Sequence, residues 1–317
     1  MNGSKILVTG ATGFIGKQLT NFLASRGFNL TVVVRKETLF FSKEISQFVV
    51  DDLSESIDWH DLLIDIDVII HLAGKAHVID SNDKKYIREY KKINTDATFS
   101  LANQAAKAGV RRFIYMSSAR VNGKISCQPL HESDPPHPVG AYASSKYEAE
   151  LSLINLAKET TLEVVILRPP LVYGPNAIGN FGLLTRWANN KILLPLPLDR
   201  VRNSRSMIGL TNLIEFIILC IDHPRAANEI FLISDCDLST TKLLRKIATA
   251  FGKKAILFPV PLGLMIFVLK LLGKENVTSS LFSSFVIDSS KARNLLGWKP
   301  LVTMDELLVM TRDQMKK

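Results

Sequence analysis

Tyr142 and Lys146 stand four residues apart in the run AYASSKYEAE. On a helix, positions i and i+4 share a face, so phenol and ammonium would point the same way. A free tyrosine has a pKa of about 10 and is a poor base at neutral pH. A neighbouring lysine cation favours the phenolate and lowers that value. Such a pair can take a proton from a hydroxyl, or return one to a ketone, while hydride moves to or from a nicotinamide. Ser118 ends the apolar run RFIYMSS upstream and can bond the same oxygen, with Ser117 as the competing candidate. The spacing YxxxK is common on surface helices and needs a second signal.

That signal lies near the chain start, where Thr9–Gly16 reads TGATGFIG. Gly10, Gly13 and Gly16 sit three apart, and Phe14 and Ile15 open the helix that follows. Glycine allows a tight turn, close approach of backbone to a pyrophosphate, and close helix–sheet packing. The helix N-terminus adds free N–H groups and a positive dipole end. The motif follows an expected strand and precedes an expected helix, the context a dinucleotide site requires. At the end of the second strand, an acidic residue would bond the ribose 2′-OH of NAD. Arg35 stands there instead, followed by Lys36. A guanidinium can pair with a 2′-phosphate, so NADP(H) is favoured, with NAD(H) as the alternative.

These groups need a scaffold. Lys5–Thr9, Leu30–Arg35, Gln47–Val50, Asp67–Leu72, Arg112–Ser117 and Leu162–Leu167 read as strands, most of them near-continuously apolar. Phe14–Arg26, Lys84–Ala108 and Tyr142–Glu159 read as helices between them. Apolar strands joined by helical crossovers predict an α/β fold, a Rossmann-type doubly wound parallel sheet covered on both faces. After Arg168 the alternation loosens through Pro169, Pro170, Gly174 and Pro175. A helix over 211–221, a strand over 229–233, a helix over 239–251 capped by Ser239 or Thr240, and a last helix from Thr303 follow. Thr303 with Glu306 makes a capping box. The expected division is a Rossmann domain over 1–172 plus about 207–233, and a smaller mixed substrate domain over about 173–206 and 234–317.

The GxxGxxG spacing, YxxxK, SSARVNG (117–123), RPPLVYGP (168–175) and the late Leu296-Gly297-Trp298-Lys299-Pro300 resemble the extended short-chain dehydrogenase/reductases of the NAD-dependent epimerase/dehydratase family. The resemblance covers nearly the whole chain. It implies that Asp52 and Leu53 lie beside the adenine, Leu72, Ala73 and Gly74 along the cofactor, Asn94 behind the site, and Pro169 near the nicotinamide. It implies a nucleoside diphosphate sugar as substrate, with Asn180 and Arg205 on its diphosphate, and a homodimer. HLAGKAHV (71–78), GNF (179–181) and LPLPL (194–198) look closest to bacterial 4-ketoreductases of UDP-4-keto-6-deoxy-N-acetylhexosamines in surface-polysaccharide sugar synthesis. They also resemble sequences labelled UDP-glucose 4-epimerase. Reduction is the first expectation, 4-epimerisation of UDP-glucose or UDP-N-acetylglucosamine the second. Dehydratases of the family carry an Asp-Glu pair after the catalytic serine or threonine. Arg120, Val121 and Asn122 stand there, which disfavours dehydration.

Composition narrows the alternatives. The chain has 317 residues, 47% hydrophobic and 22% charged, which excludes a disordered or coiled-coil protein. The net charge of +9 is spread along the chain, so a nucleic-acid partner is not expected. Cys127, Cys220 and Cys236 have no metal spacing and suggest a reducing, cytoplasmic setting. His71, His77, His131 and His137 are isolated, and no metal site is expected; His71 lies near the cofactor strand end. The run 255–272, AILFPVPLGLMIFVLKLL, is broken by prolines, a glycine and a lysine, too short in each part to span a membrane. It reads as a short strand and a buried or surface-seeking helix, with peripheral membrane contact left open.

Overall fold

The computed structural model describes residues 4–53, 56–76, 84–126, 128–190, 195–271, 273, 278 and 281–316. His77, Cys127 and Leu272 lie outside the described residues. The strands are β1 (Lys5–Thr9), β2 (Asn29–Val34), β3 (Ser46–Val49), β4 (Val68–His71), β5 (Arg112–Met116), β6 (Glu163–Arg168), β7 (Leu171–Tyr173), β8 (Arg205–Gly209), β9 (Glu229–Leu232) and β10 (Cys236–Leu238). Seven form one parallel sheet in the order β3-β2-β1-β4-β5-β6-β9. The order reverses beside β1 and β4. In open α/β sheets the crevice beyond the strand ends at such a reversal is where ligands bind.

Period-two alternation explains the two layers. Ile6 and Val8 of β1, Val68 and Ile70 of β4, and Val165 and Leu167 of β6 join one buried cluster. Leu7, Ile69 and Ile166 join the other. The helices are α1 (Phe14–Ser25), α2 (His60–Leu63), α3 (Lys84–Tyr90), α4 (Ala97–Lys107), α5 (Ala141–Glu159), α6 (Gly179–Asn189), α7 (Leu210–Asp222), α8 (Thr240–Ala250) and α9 (Leu262–Leu271), followed by Ser290–Leu296 and Met304–Met315. Leu19 and Leu23 of α1 and Leu213 and Ile217 of α7 cover the first face. Leu101 and Ala105 of α4 and Ala149 and Leu153 of α5 cover the second. Each valine, leucine or isoleucine among them contributes about 1.5–3 kcal/mol when buried, so both layers hold the sheet.

Four local features depart from or refine the sequence reading. The long helix from Lys84 is continuous but carries a π segment, Lys91–Asp96, between α3 and α4. The loosened region after Arg168 contains a second sheet, β10-β8-β7, with β7 parallel and β10 antiparallel to β8. Ser239 is the cap of α8, accepting from the Lys242 N–H at 3.2 Å. Thr303 and Glu306 form the expected capping box. Among the described residues no helix is long and apolar enough to cross a membrane.

Candidate functional site

The turn from β1 into α1 is built for close approach. Gly10 has φ +70, and a Cβ there would sit 2.7 Å from the Ala73 nitrogen. A Cβ on Gly16 would fall 2.2 Å from the Gly10 carbonyl oxygen, so helix and turn touch through glycine alone. Gly13 caps α1 without a side chain, and the first turn holds no acidic residue. The amides of Phe14 and Ile15 therefore remain available to an anion. Beyond the turn lies a cavity of about 460 Å³ lined by Gly10, Gly13, Arg35, Asp52, Leu53, Leu72, Ala73 and Gly74, together with Thr12, Val50, Lys75 and Ile93. Its glycine floor, amide-rich end and size fit a dinucleotide. Arg35 is exposed at its edge.

Asn94 sits in the π segment and is buried. Its Oδ1 accepts the Lys75 backbone N–H at 2.8 Å, and its Nδ2 donates to the Lys75 carbonyl at 3.1 Å and to Ser145 Oγ at 3.0 Å. Ser145 Oγ in turn donates to the Tyr142 carbonyl at 2.9 Å. Asn94 thus ties the loop after β4, at the cofactor cavity, to the first turn of α5.

Tyr142 and Lys146 occupy successive turns of α5, as i and i+4 require. Lys146 Nζ donates to the Met116 carbonyl at 2.8 Å and lies 4.7 Å from the Tyr115 ring centre. A Cβ on Gly74 would be 3.1 Å from this Nζ, which places the ammonium beside the cavity. Burial lowers the Lys146 pKa to about 8, partly countered by the Glu150 carboxylate. Tyr142 departs from the sequence expectation. Burial raises its pKa, while Ser118 and Arg120 act in the opposite direction. The Lys146 ammonium donates to the carbonyl at the end of β5. The two serines divide. Ser117 Oγ donates to Glu150, whereas Ser118 faces Tyr142 and accepts the Arg120 N–H at 3.2 Å.

His71 belongs to the core. Its ring nitrogens bond Thr9 Oγ1 at 2.8 Å and Thr98 Oγ1 at 2.9 Å, and burial drives its pKa down to about 3. Arg205 is half-buried at the start of β8 and donates to the Ser283 carbonyl at 3.1 Å. Burial and the nearby Arg120 both lower its pKa. Arg120 Nε is buried without a hydrogen-bond partner among the described residues. Pro169 is buried, and its carbonyl accepts the Ala119 N–H at 3.0 Å, fixing the loop that carries Ser118. Asn180 is exposed in the first turn of α6.

A family model for the NAD dependent epimerase/dehydratase family matches residues 6–234. The chain belongs to this family. It is 38% identical over 306 residues to a UDP-glucose 4-epimerase of Vibrio cholerae, covering 95% of this chain and 92% of the relative. It is 28% identical to an uncharacterized protein, y4nL, of Sinorhizobium fredii, covering 96% and 93%. Among solved structures, UDP-N-acetylglucosamine 4-epimerase from Bacillus cereus superposes with a TM-score of 0.82 at 21% identity, covering 99% of this chain and 100% of that one. MoeE5 in complex with UDP-glucose and NAD superposes at 0.78 with 22% identity, covering 99% of each. These superpositions describe a shared extended fold.

In this epimerase/dehydratase-family chain, the fold brings Asn94 and Lys146 against Gly74 on the wall of the glycine-lined cavity, sets Ser118 against Tyr142 one turn before Lys146, and places Arg205 near Arg120. Sequence reasoning missed three groups. Glu150 and Arg168 form a buried ion pair under the site, with Arg168 Nη1 also donating to Asn122 Oδ1 at 2.9 Å. Glu150 lies four residues past Lys146, so the same helical spacing that found the tyrosine pointed to it. Arg120 was read only as a missing acid, although a base two residues after Ser118 is itself a signal.

Proposed function

We propose that this protein exchanges hydride at C4 of a UDP-linked hexose or N-acetylhexosamine, with 4-epimerisation as the first reading. The reading is supported by Lys146 beside Gly74 on the wall of the cavity lined by Gly10, Gly13 and Ala73, with Tyr142 one turn earlier on α5 and Ser118 bonded to that tyrosine. A nicotinamide dinucleotide bound in that cavity supplies the hydride acceptor and donor. Tyr142 exchanges the proton of the C4 oxygen, and Ser118 holds that oxygen by its hydroxyl. Burial keeps the phenol protonated at rest, and Ser118 and Arg120 favour the charge it must carry in turnover. Lys146 adds a cation at the cavity wall and anchors the end of β5. Arg205, with Arg120 near it, offers planar donors to the diphosphate.

Reduction came first in the sequence reading. The 38% relative, aligned along nearly all of both chains, moves epimerisation ahead of it. Arg35 at the cavity edge favours the second reading, an NADP(H)-linked 4-ketoreductase.

A paired assay separates the two. One arm gives UDP-glucose or UDP-N-acetylglucosamine without added nicotinamide and follows the C4 epimer by NMR. The other mixes NADPH with UDP-4-keto-6-deoxy-N-acetylglucosamine and follows absorbance. Isomerisation without net cofactor consumption is expected. Stoichiometric NADPH consumption with a silent first arm selects the ketoreductase. Silence in both arms rejects C4 chemistry on these sugars. Arg35→Asp is expected to move preference from NADP toward NAD, and an unchanged ratio of specificity constants would remove Arg35 from cofactor choice.

A further inference from the structure

We propose that α9 and the segment leading into it dock the protein on an anionic lipid surface. The inference is independent of the substrate assignment. From Lys253 through Gly273 the chain carries three lysines and no acidic residue. In the structure only Met265 of α9 is buried, sealing a small cluster with Leu198, Val201 and Leu244. Leu264, Phe267, Val268 and Leu271 are exposed, as are Ile256 and Phe258 before the helix; Leu271 is 72% and Phe267 58% accessible. A surface helix of a soluble protein normally shows a polar outer face. This one shows apolar side chains outward, and a continuous exposed apolar patch marks an interaction surface.

Length and charge select the occupant. Ten residues rise about 15 Å, half of a hydrocarbon core of about 30 Å, so α9 can lie in the membrane interface but cannot cross it. Lys270 is exposed in the last turn of α9, and Lys254 is exposed in the segment leading into it. The neighbouring loop pairs with the segment before α9, Leu196 N–H donating to the Ile256 carbonyl at 3.0 Å and Phe258 N–H to the Leu196 carbonyl at 3.1 Å. That loop adds the exposed Arg200 and Arg202. Its one acid, Asp199, is held by Arg245 at 2.6 Å. Outward apolar side chains flanked by bases of one sign match the acyl boundary and anionic headgroups of a bilayer.

The test is flotation of the full-length protein with two vesicle types, phosphatidylcholine alone and the same lipid with about a third phosphatidylglycerol. Wild type is expected to float at least about tenfold more with the anionic vesicles, and about 0.5 M NaCl should weaken it. Phe267→Ser/Leu271→Ser and Lys254→Glu/Lys270→Glu alter exposed side chains, so each should keep the wild-type melting curve and float at least about fivefold less. Absence of wild-type flotation, or flotation indifferent to both double variants, overturns the proposal. So does size-exclusion behaviour in which wild type self-associates, Phe267→Ser/Leu271→Ser does not, and neither binds vesicles.

Discussion

Lys146→Met should make the cofactor-free protein more stable while destroying its chemistry. Burial lowers the Lys146 pKa from 10.5 to about 8. The unfolded chain therefore binds more protons than the folded one between those values, and stability rises with pH across that window. Below about pH 8 both states are charged and the full penalty applies, about 3 kcal/mol for the gap. Methionine keeps the aliphatic stem and removes the charge. It forfeits the hydrogen bond to the Met116 carbonyl, about 1 kcal/mol, and the contact with the Tyr115 ring, about 0.5–1 kcal/mol. The expected net gain at pH 7 is about 1–2 kcal/mol, vanishing near pH 10. Urea unfolding at the two pH values, with unchanged m, measures it. Turnover should fall at least about 100-fold. Wild-type turnover should itself decline above about pH 8, opposite in sign to stability. A variant less stable than wild type at pH 7, or a gain equal at both pH values, refutes the reasoning.

Three further outcomes follow from the geometry. Tyr142→Phe should lower turnover about 10²–10⁴-fold with cofactor affinity within about twofold by fluorescence titration, and normal turnover would remove the phenol from the mechanism. Glu150→Gln leaves Arg168 charged and buried, so chemical denaturation should show a loss of about 3–5 kcal/mol. Glu150→Gln/Arg168→Met should recover part of that, and a double variant no better than the single would show that the pair is not the cause. Gly10→Ala puts a Cβ 2.7 Å from the Ala73 nitrogen on a backbone of φ +70. Cofactor binding by calorimetry should weaken at least about tenfold, and unaltered affinity would contradict the close approach.

Signals carried by neighbouring residues were legible in the sequence. The apolar runs of β1, β4, β5 and β6, the glycine spacing before α1, the Thr303 capping box and the Ser239 cap each depend on a few adjacent positions. The second sheet was not legible. β7 and β10 are three residues each and β8 is five, and their partners lie more than 25 residues away in the chain. Short strands with distant partners leave no local period to read. At the site, YxxxK brought Tyr142 and Lys146 to one helix face, but the direction of the Tyr142 pKa depends on what surrounds it. Burial and the capture of Lys146 by the Met116 carbonyl are properties of the packed sheet, and spacing cannot report them. Ser117 and Ser118 are adjacent and chemically identical, and only their packed partners, Glu150 for one and Tyr142 for the other, separate them.

The π segment Lys91–Asp96 makes the long helix intolerant of length changes. A π turn accommodates an extra residue relative to the regular ladder, and such segments persist at functional positions. Deleting one residue there would restore even helical hydrogen bonding, and by local measures would improve the helix. It would also rotate every side chain on one flank by about 100° relative to the other. Either Asn94 would leave Lys75 and Ser145, or the faces of α3 and α4 would lose their shared orientation. Homologues can therefore vary the side chains of this helix far more freely than its residue count, and an alignment gap placed between Lys84 and Lys107 would mark a protein with a differently wired site.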